Sequence, residues 1–160
     1  MSPRRILFVC TGNSCRSVMA QELMRHLLRR AGVEGVQVES AGVFAVQGMA
    51  PTRETQRVLQ DAGIPCSDHH ARLVTAEMLR DADLILAMEP FQLDEVLRRH
   101  ALAQGKTHLL KTYLAPSGKT PQPAAIPDPI GKPLEVYEVC FADIREAVER
   151  LAKSLGVTIG

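Results

Sequence analysis

Short apolar runs alternate along this chain with segments in which apolar residues recur every three or four positions. The run at residues 6–9 and the run at 83–88 are nearly continuous in apolar residues, which is typical of strands buried on both faces of a parallel sheet. Residues 36–40 alternate between apolar and polar side chains and predict a half-exposed strand. Residues 107–111 predict a further strand, so the pattern indicates about four strands in all.

The segments between these runs predict helices with one apolar face. The predicted helices cover residues 17–31, which end before Gly32, then 51–62, a short stretch from Thr75, residues 90–100 and a long final stretch over 134–155. Strands that alternate with helices predict a doubly wound α/β fold with an entirely or mostly parallel sheet. No repeat or internal boundary is visible, so we expect one domain over residues 1–160.

Composition narrows the range of functions. A chain of 160 residues can bury a substantial core without disulfides or metals. The net charge of +1 gives no electrostatic reason to expect nucleic acid or a membrane surface as a partner, and no apolar run approaches the ~20 residues of a membrane span. The short apolar run near the start does not suggest a signal peptide. Four cysteines in a chain of this size favour reduced thiols and a cytoplasmic location.

Two cysteines are followed six positions later by an arginine, and their surroundings differ. Cys10 ends a predicted buried strand, and Ser17 opens a predicted helix, so the loop between them lies at the carboxyl end of a parallel strand, where open α/β sheets bind ligands. The heptad from Cys66 to Arg72 contains no glycine, carries an aspartate and follows no strand. We therefore interpret the pair formed by Cys10 and Arg16 as the functional one and the other as a chance match.

The loop after Cys10 has the chemistry of a phosphate-binding nest. Its members are Thr11, Gly12, Asn13, Ser14 and Cys15. Backbone N–H groups at the start of a helix attract anions, and glycine and asparagine allow the chain to curl around them. Such surroundings favour a thiolate at Cys10, while Arg16 can bind two phosphate oxygens at once and Ser17 can donate to the sulfur.

A phosphatase also needs an acid to protonate its leaving group. Residues 112–133 contain six of the ten prolines and show no clear periodicity, and loops of such length are often functional. Asp128 lies in this segment between two prolines, which restrict the backbone around its carboxyl group. We therefore predict that Asp128 is the general acid.

Several short motifs, in this order, resemble the low-molecular-weight protein tyrosine phosphatases. They are "VCTGNSCRS" after a strand, "SAG" at 40–42, "HHAR" at 69–72 and "DP" at 128–129 before a final helix. The resemblance covers almost the whole chain. It implies that Cys10 is the nucleophile, Arg16 the phosphate clamp and Ser17 the thiolate stabiliser, and that Asp128 is first acid and then base. The resemblance further implies that three residues brace the loop, namely Asn13, Ser40 and His69, and that Cys15 can form a reversible disulfide with Cys10.

The chain departs from the tyrosine-specific pattern at the substrate cleft. Where those enzymes usually carry aromatic side chains, this sequence has Val46 and Ile130. Phe44 is the nearest aromatic residue, either in the cleft or in the core, and Tyr113 is a further candidate for the cleft. At the position of Ser14, tyrosine phosphatases typically carry a large aliphatic residue and the protein arginine phosphatase branch carries a threonine. The alternative substrate is therefore phosphoarginine.

Two other functions fit parts of the sequence. A thioredoxin-coupled arsenate reductase shares the loop motif, but it relays oxidation through two further cysteines after the third strand, where this chain has none. A non-catalytic phosphate-binding module would not need Asp128. We expect a phosphorylated protein as partner, inorganic phosphate as product, and neither a cofactor nor a metal, since His69 and its neighbour His70 have no visible cluster of further ligands.

Overall fold

The computed structural model describes residues 2–66, 68–118 and 123–160, and its centre is a parallel sheet of four strands. In chain order the elements are β1 (Arg5–Cys10), α1 (Arg16–Arg30), β2 (Gln37–Gly42), α2 (Arg53–Asp61), α3 (Ala76–Asp81), β3 (Leu84–Ala87), α4 (Pro90–Arg99), a 3₁₀ helix (Ala101–Lys106), β4 (Thr107–Leu109) and α5 (Leu134–Ser154). The strand order is β2-β1-β3-β4, and every neighbouring pair is parallel. The predicted doubly wound α/β fold is confirmed.

Apolar residues of β1 alternate between two cores, one on each face of the sheet. Ile6, Phe8 and Cys10 belong to the larger core, which also contains residues of α1, α2 and α5. Leu7 and Val9 belong to the smaller core, with residues of α3 and α4. Because the side chains of a strand point to opposite faces in turn, burial on both faces requires the continuous apolar run seen in the sequence.

Polar side chains at helix starts explain where several helices begin. The Thr52 hydroxyl accepts the Thr55 N–H at 3.2 Å at the start of α2, and the Thr75 hydroxyl accepts the Met78 N–H at 3.1 Å at the start of α3. Each of these hydroxyls satisfies a backbone donor that has no partner within the helix. The short helix expected from Thr75 is confirmed, whereas the 3₁₀ helix was not predicted because its six residues show no apolar periodicity.

The strand order fixes the position of the site. The chain leaves β1 towards β2 on one side and later returns to β3 on the other, so the carboxyl end of β1 is the switch point where open sheets of this kind bind ligands. Past the end of β3, the Ile126 N–H donates to the Met88 carbonyl at 2.9 Å. This bond brings the proline-rich segment over the same edge of the sheet. Residues 119–122 of that segment lie outside the described residues.

Candidate active site

Cys10 is the last residue of β1 and its side chain is buried. Its Sγ atom lies 2.9 Å from Ser17 Oγ and accepts the Asn13 backbone N–H at 3.2 Å. Because Ser17 Oγ already accepts a hydrogen bond from Asn13 Nδ2 at 2.8 Å, its own hydrogen is free to donate to the sulfur. Two donors therefore converge on Cys10 Sγ, an arrangement that suits a thiolate.

Asn13 holds the loop in its curled form. It has a φ of 53°, in the left-handed region that asparagine tolerates better than most residues, and it is fully buried. Its Nδ2 atom also donates to Ser40 Oγ at 2.9 Å, and its Oδ1 atom accepts the Arg72 backbone N–H at 2.9 Å. The amide is thus bonded on both sides to segments far away in the chain, which fixes the loop in place.

Gly42 explains the third letter of the "SAG" motif. A Cβ atom at this position would lie 2.5 Å from the Thr11 carbonyl oxygen and 2.9 Å from the Asn13 nitrogen. Both atoms are backbone of the loop and cannot rotate away. Only glycine allows the end of β2 to approach the loop this closely.

Arg16 is the first residue of α1, and its side chain is only 2% exposed. Its Nη1 atom donates to the Glu89 carboxylate and to the Ile126 carbonyl, the latter at 2.8 Å, and its Nη2 atom lies 3.5 Å from Asp128 Oδ2. Burial by itself lowers the pKa of the Arg16 guanidinium, but the negative charges of Cys10, Glu89 and Asp128 outweigh this effect and raise it. The guanidinium is therefore a permanent, immobile cation beside the sulfur.

Asp128 reaches the site from the proline-rich segment. One carboxylate oxygen faces Arg16, and the other accepts the backbone N–H of Ile130 at 3.1 Å. The side chain remains 39% exposed, so it is open to solvent and to a ligand. The structure thus brings together Cys10, Arg16 and Asp128, the three residues predicted to be catalytic.

Helix α5 supports the loop from behind. The Tyr137 hydroxyl lies 3.6 Å from Cys15 Sγ, and Cys140 Sγ lies 3.9 Å from the Pro127 carbonyl oxygen. Burial raises the pKa of the Tyr137 phenol, and burial raises the pKa of the Cys140 thiol to about 12. Both groups stay protonated at neutral pH and serve as uncharged packing partners.

Cys66 and Arg72, the second pair with the same spacing, make different contacts. Cys66 is buried in the larger apolar core, and burial raises the pKa of its thiol. Arg72 binds the site through its backbone, as described for Asn13, and its guanidinium lies 3.5 Å from Glu39. This geometry agrees with the prediction that the spacing at Cys66 is a chance match.

The three residues predicted to line the substrate cleft are exposed to solvent. Phe44, Val46 and Ile130 are 55%, 62% and 55% exposed, so the interpretation of Phe44 as a core residue is wrong. The Tyr113 ring lies 4.6 Å from the His108 ring, beside a cavity of about 360 Å³ that Arg4 and other residues line at the amino ends of the strands. The suggestion that Tyr113 lines the cleft is therefore wrong, because the chain turns back after β4.

Residues 5–158 match the protein family described as low molecular weight phosphotyrosine protein phosphatase. The chain belongs to this family.

Relatives of this phosphatase family that resemble the chain include enzymes named for two different substrates. The chain is 37% identical to a protein-arginine-phosphatase of Geobacillus stearothermophilus, over 96% of this chain and 97% of the relative. It is 35% identical to the low molecular weight protein-tyrosine-phosphatase Etp of Escherichia coli K12, over 94% of this chain and 93% of the relative. The crystal structure of the tyrosine phosphatase Wzb from Escherichia coli K30 in complex with sulphate has a TM-score of 0.84 and 30% identity, over 96% of this chain and 99% of that one.

Several side chains of this phosphatase contact the site although the sequence analysis did not single them out. Glu89 pairs with Arg16, Gln92 Nε2 donates to Thr11 Oγ1 at 3.0 Å, and Tyr137 contacts Cys15. A glutamine in the first turn of a predicted helix and a tyrosine among the apolar positions of the final helix are weak signals in the sequence. Their partners could not be identified, since they lie 73 to 122 positions away.

Three side chains brace the loop on the side of β2. His69 Nε2 lies 3.1 Å from the Asn13 carbonyl oxygen, and Gln21 Nε2 lies 3.4 Å from His69 Nδ1. A carbonyl can only accept, so the proton of a neutral His69 belongs on Nε2, and Nδ1 is then free to accept from Gln21. Ser40 Oγ donates to Gln21 Oε1 at 2.8 Å and completes the chain of bonds.

We expect His69 to make the free energy of unfolding depend on pH. Burial, the largest effect, lowers the pKa of its imidazole from 6.5. The unfolded chain therefore binds a proton that the folded chain does not, and stability falls as the pH is lowered through 6.5. The measurement is urea unfolding between pH 5 and 8 for the wild type and His69→Gln, whose side-chain amide can still donate to the Asn13 carbonyl. The wild type should lose stability relative to the variant on acidification, and a difference that stays constant with pH would contradict the prediction.

Within the ranges that the structure describes, no group of three or more His, Cys, Asp or Glu side chains is arranged to hold a metal ion. In the same part of the chain, no helix combines the length and the apolar composition needed to cross a membrane.

Proposed function

We propose that this protein is a phosphoprotein phosphatase that works through a phosphocysteine intermediate on Cys10. The observation that carries the proposal is the convergence at one edge of the sheet of a sulfur that accepts two hydrogen bonds, a buried guanidinium and a half-exposed carboxyl group. A nucleophile, an electrostatic clamp and an acid are the groups that remove a phosphoryl group from a side chain by way of a covalent intermediate.

In the first step, the Cys10 thiolate attacks the phosphorus atom of the substrate. A sulfur–phosphorus bond forms, the bond from phosphorus to the leaving group breaks, and a protonated Asp128 gives its proton to the leaving atom. Arg16 binds two of the phosphoryl oxygens through its fork of donors and stabilises the charge spread over them. Without substrate, the Nη2 atom of Arg16 faces Asp128 at 3.5 Å; when the substrate binds, Nη2 donates to a phosphoryl oxygen instead.

In the second step, water attacks the phosphocysteine. Asp128, now a carboxylate, accepts a proton from the water, the sulfur–phosphorus bond breaks, and inorganic phosphate is released. The Cys10 sulfur departs as a thiolate, and the hydrogen bond from Ser17 at 2.9 Å lowers the cost of that charge. The same carboxyl group thus serves both half-reactions.

Glu89 and Ile126 position the clamp. They hold the Nη1 atom of Arg16 from one side, so that the guanidinium cannot turn away from the sulfur. Ile126 lies two residues before Asp128, so the same hydrogen bond also ties the acid-bearing segment to the phosphate-binding arginine. Orientation of this kind contributes to rate because the reacting groups need not search for each other.

The substrate class rests on Ser14, and phosphoarginine is the second candidate beside phosphotyrosine. Ser14 is buried, and its hydroxyl oxygen lies 3.7 Å from Cys15 Sγ and 3.6 Å from the point where a Cβ atom on Gly12 would stand. A hydroxyl here can hydrogen-bond to a water or a substrate nitrogen, whereas a large aliphatic residue excludes water. The 37% identity to a protein-arginine-phosphatase supports phosphoarginine as a candidate substrate.

The test is a comparison of kcat/KM for phosphotyrosine and phosphoarginine forms of one peptide. Replacing Ser14 with isoleucine should shift the ratio of the two values towards phosphotyrosine by about tenfold or more, since a site that hydrogen-bonds a polar group discriminates strongly when that bond is lost. Ser14→Thr is the matched control, because it retains the hydroxyl and should preserve the ratio.

Three results would contradict this proposal, each at a different level. Equal shifts for both peptides in Ser14→Ile would remove the special role of the hydroxyl but leave the phosphatase intact. Hydrolysis of neither peptide, together with reduction of arsenate in the presence of thioredoxin, would identify a reductase instead. The absence of turnover with phosphate binding retained would identify a non-catalytic module.

The four cysteines are free thiols in the structure, and the mechanism needs Cys10 reduced. We accordingly place the protein in a reducing compartment, the cytoplasm. Phosphorylated proteins are its proposed partners, and the residues named above suffice for the chemistry without a cofactor.

A further inference from the structure

Two large aromatic side chains lie exposed next to each other beside the phosphate-binding loop. Phe44 is 55% exposed and Phe91 is 50% exposed, and their ring centroids lie 5.8 Å apart with a tilt of 31°. The chain has four phenylalanines and two tyrosines, so these two rings are a third of its phenylalanine and tyrosine side chains. We call this pair the aromatic ledge.

Both rings of the ledge are anchored at Thr11, the residue after Cys10. The Phe44 backbone N–H donates to the Thr11 carbonyl at 3.0 Å. Gln92, the neighbour of Phe91, donates to the Thr11 hydroxyl at 3.0 Å and is itself fully buried. The ledge is therefore fixed at the rim of the site by two independent segments, the loop after β2 and the first turn of α4.

Arg99 packs against the ledge and stiffens it. Its Nη2 atom donates to the Val43 carbonyl at 2.7 Å and lies 3.3 Å from the Glu95 carboxylate, and its guanidinium carbon lies 5.5 Å from the centre of the Phe44 ring. Arg99 is thus hydrogen-bonded, but it shares Glu95 with Arg98, whose Nε and Nη2 atoms lie 3.1 and 2.7 Å from the two carboxylate oxygens, so its charge is only partly offset. What the ledge offers to a ligand is apolar ring surface held in a preformed position.

We propose that Phe91, packed against Phe44, is a specificity-determining residue that binds an apolar side chain of the phosphoprotein substrate close to the phosphorylated residue. The inference rests on the proposed function. When a phosphorylated side chain enters the loop, its neighbours in the substrate chain lie within a few residues of the rim, because consecutive Cα atoms are about 3.8 Å apart. An apolar side chain there covers the two rings.

The experiment uses a phosphopeptide with an alanine background, in which leucine is placed in turn at the two positions before and the two positions after the phosphorylated residue. The phosphorylated residue is either phosphotyrosine or phosphoarginine, whichever the wild type dephosphorylates faster. We expect leucine to raise kcat/KM by about 3–10-fold at one or more of these positions, mainly through KM, in line with the strength of aromatic contacts. In Phe91→Ala this preference should shrink to less than about twofold by the same reasoning.

Two further variants keep the result interpretable. Phe91→Tyr retains the ring and should retain the leucine preference. Leu102→Ala removes an exposed apolar residue from the 3₁₀ helix, which precedes β4 at the amino ends of the strands, and should behave as the wild type. Hydrolysis of para-nitrophenyl phosphate by each variant serves to normalise the peptide rates.

The outcomes separate this inference from the proposed function. If the wild type hydrolyses the peptides but shows no leucine preference, or if Phe91→Ala keeps the preference, the inference is wrong and the phosphatase stands. A loss in Phe91→Ala that is equal for the leucine peptide, the alanine peptide and para-nitrophenyl phosphate would also overturn it, because the ring would then act on the phosphorylated residue itself or on the fold. If the wild type hydrolyses none of the substrates, the proposed function is wrong, and the inference that rests on it is wrong as well.

Discussion

Replacing Cys10 with serine should lower turnover of para-nitrophenyl phosphate by at least about 10⁴-fold, because removal of a covalent nucleophile forfeits the whole mechanism. A serine hydroxyl is a far weaker nucleophile than a thiolate. The loop is held by Asn13, whose bonds to Ser40 and Arg72 do not involve Cys10, so inorganic phosphate should still bind. The measurements are steady-state rates and calorimetric titration with phosphate.

Cys66→Ser is the matched control for this experiment. Cys66 has the same spacing to a following arginine but is buried in the larger core. A hydroxyl there lowers the free energy of unfolding by about 1–3 kcal/mol if it is left without a partner. The activity of each folded molecule should nevertheless match the wild type. Substantial activity in Cys10→Ser, or loss of it in folded Cys66→Ser, would contradict the assignment of the nucleophile.

Replacing Asp128 with alanine should slow turnover by about 10²–10⁴-fold, the usual contribution of a general acid and base. The loss should be larger for phenyl phosphate than for para-nitrophenyl phosphate, since para-nitrophenolate leaves readily without a proton. Binding of inorganic phosphate should persist, because Arg16 keeps its bonds to Glu89 and Ile126.

Asp81→Ala provides the control for a lost half-exposed carboxylate. Asp81 is 37% exposed and lies 3.9 Å from Arg5, at the amino ends of the strands and far from the site in the fold. Its removal should leave turnover unchanged. Equal losses in Asp128→Ala for the two leaving groups would exclude the role of an acid, and an unchanged rate would show that Asp128 takes no part in turnover.

Much of the fold was predictable because it depends on local patterns. The continuous apolar run ending at Cys10 and the helical periodicity after it predicted β1, α1 and the loop between them, and the helix was expected one residue later than it begins. Asp128 stood out through its flanking prolines, a local signal. These features depend only on residues close together in the sequence, so they can be predicted without knowing which strands lie side by side.

The partners of the loop were not predictable in the same way. Glu89 lies 73 positions from Arg16, and Ile126 lies 110 positions from it. They meet only because β3 lies next to β1, so that the chain leaving β3 and the proline-rich segment both pass the carboxyl end of β1. No periodicity in the sequence encodes that neighbourhood.

The exposure of individual side chains was likewise decided by the tertiary structure. Phe44 and Tyr113 are both aromatic residues in loops, and the sequence allowed either to line the cleft. The bond from the Phe44 N–H to Thr11 holds one ring beside the site, whereas the turn after β4 carries the other ring to the opposite end of the sheet.

By itself, the sequence determined the alternation of strands and helices, the phosphate-binding loop and its three proposed catalytic residues, because each of these follows from periodicity, backbone preference and chemistry within a short segment. Only the tertiary structure decided that Glu89 and the Ile126 carbonyl hold the clamp, that Gly42 must lack a side chain, and that Phe91 lies against Phe44. These contacts depend on the order of the strands, and that order brings together residues that are distant along the chain.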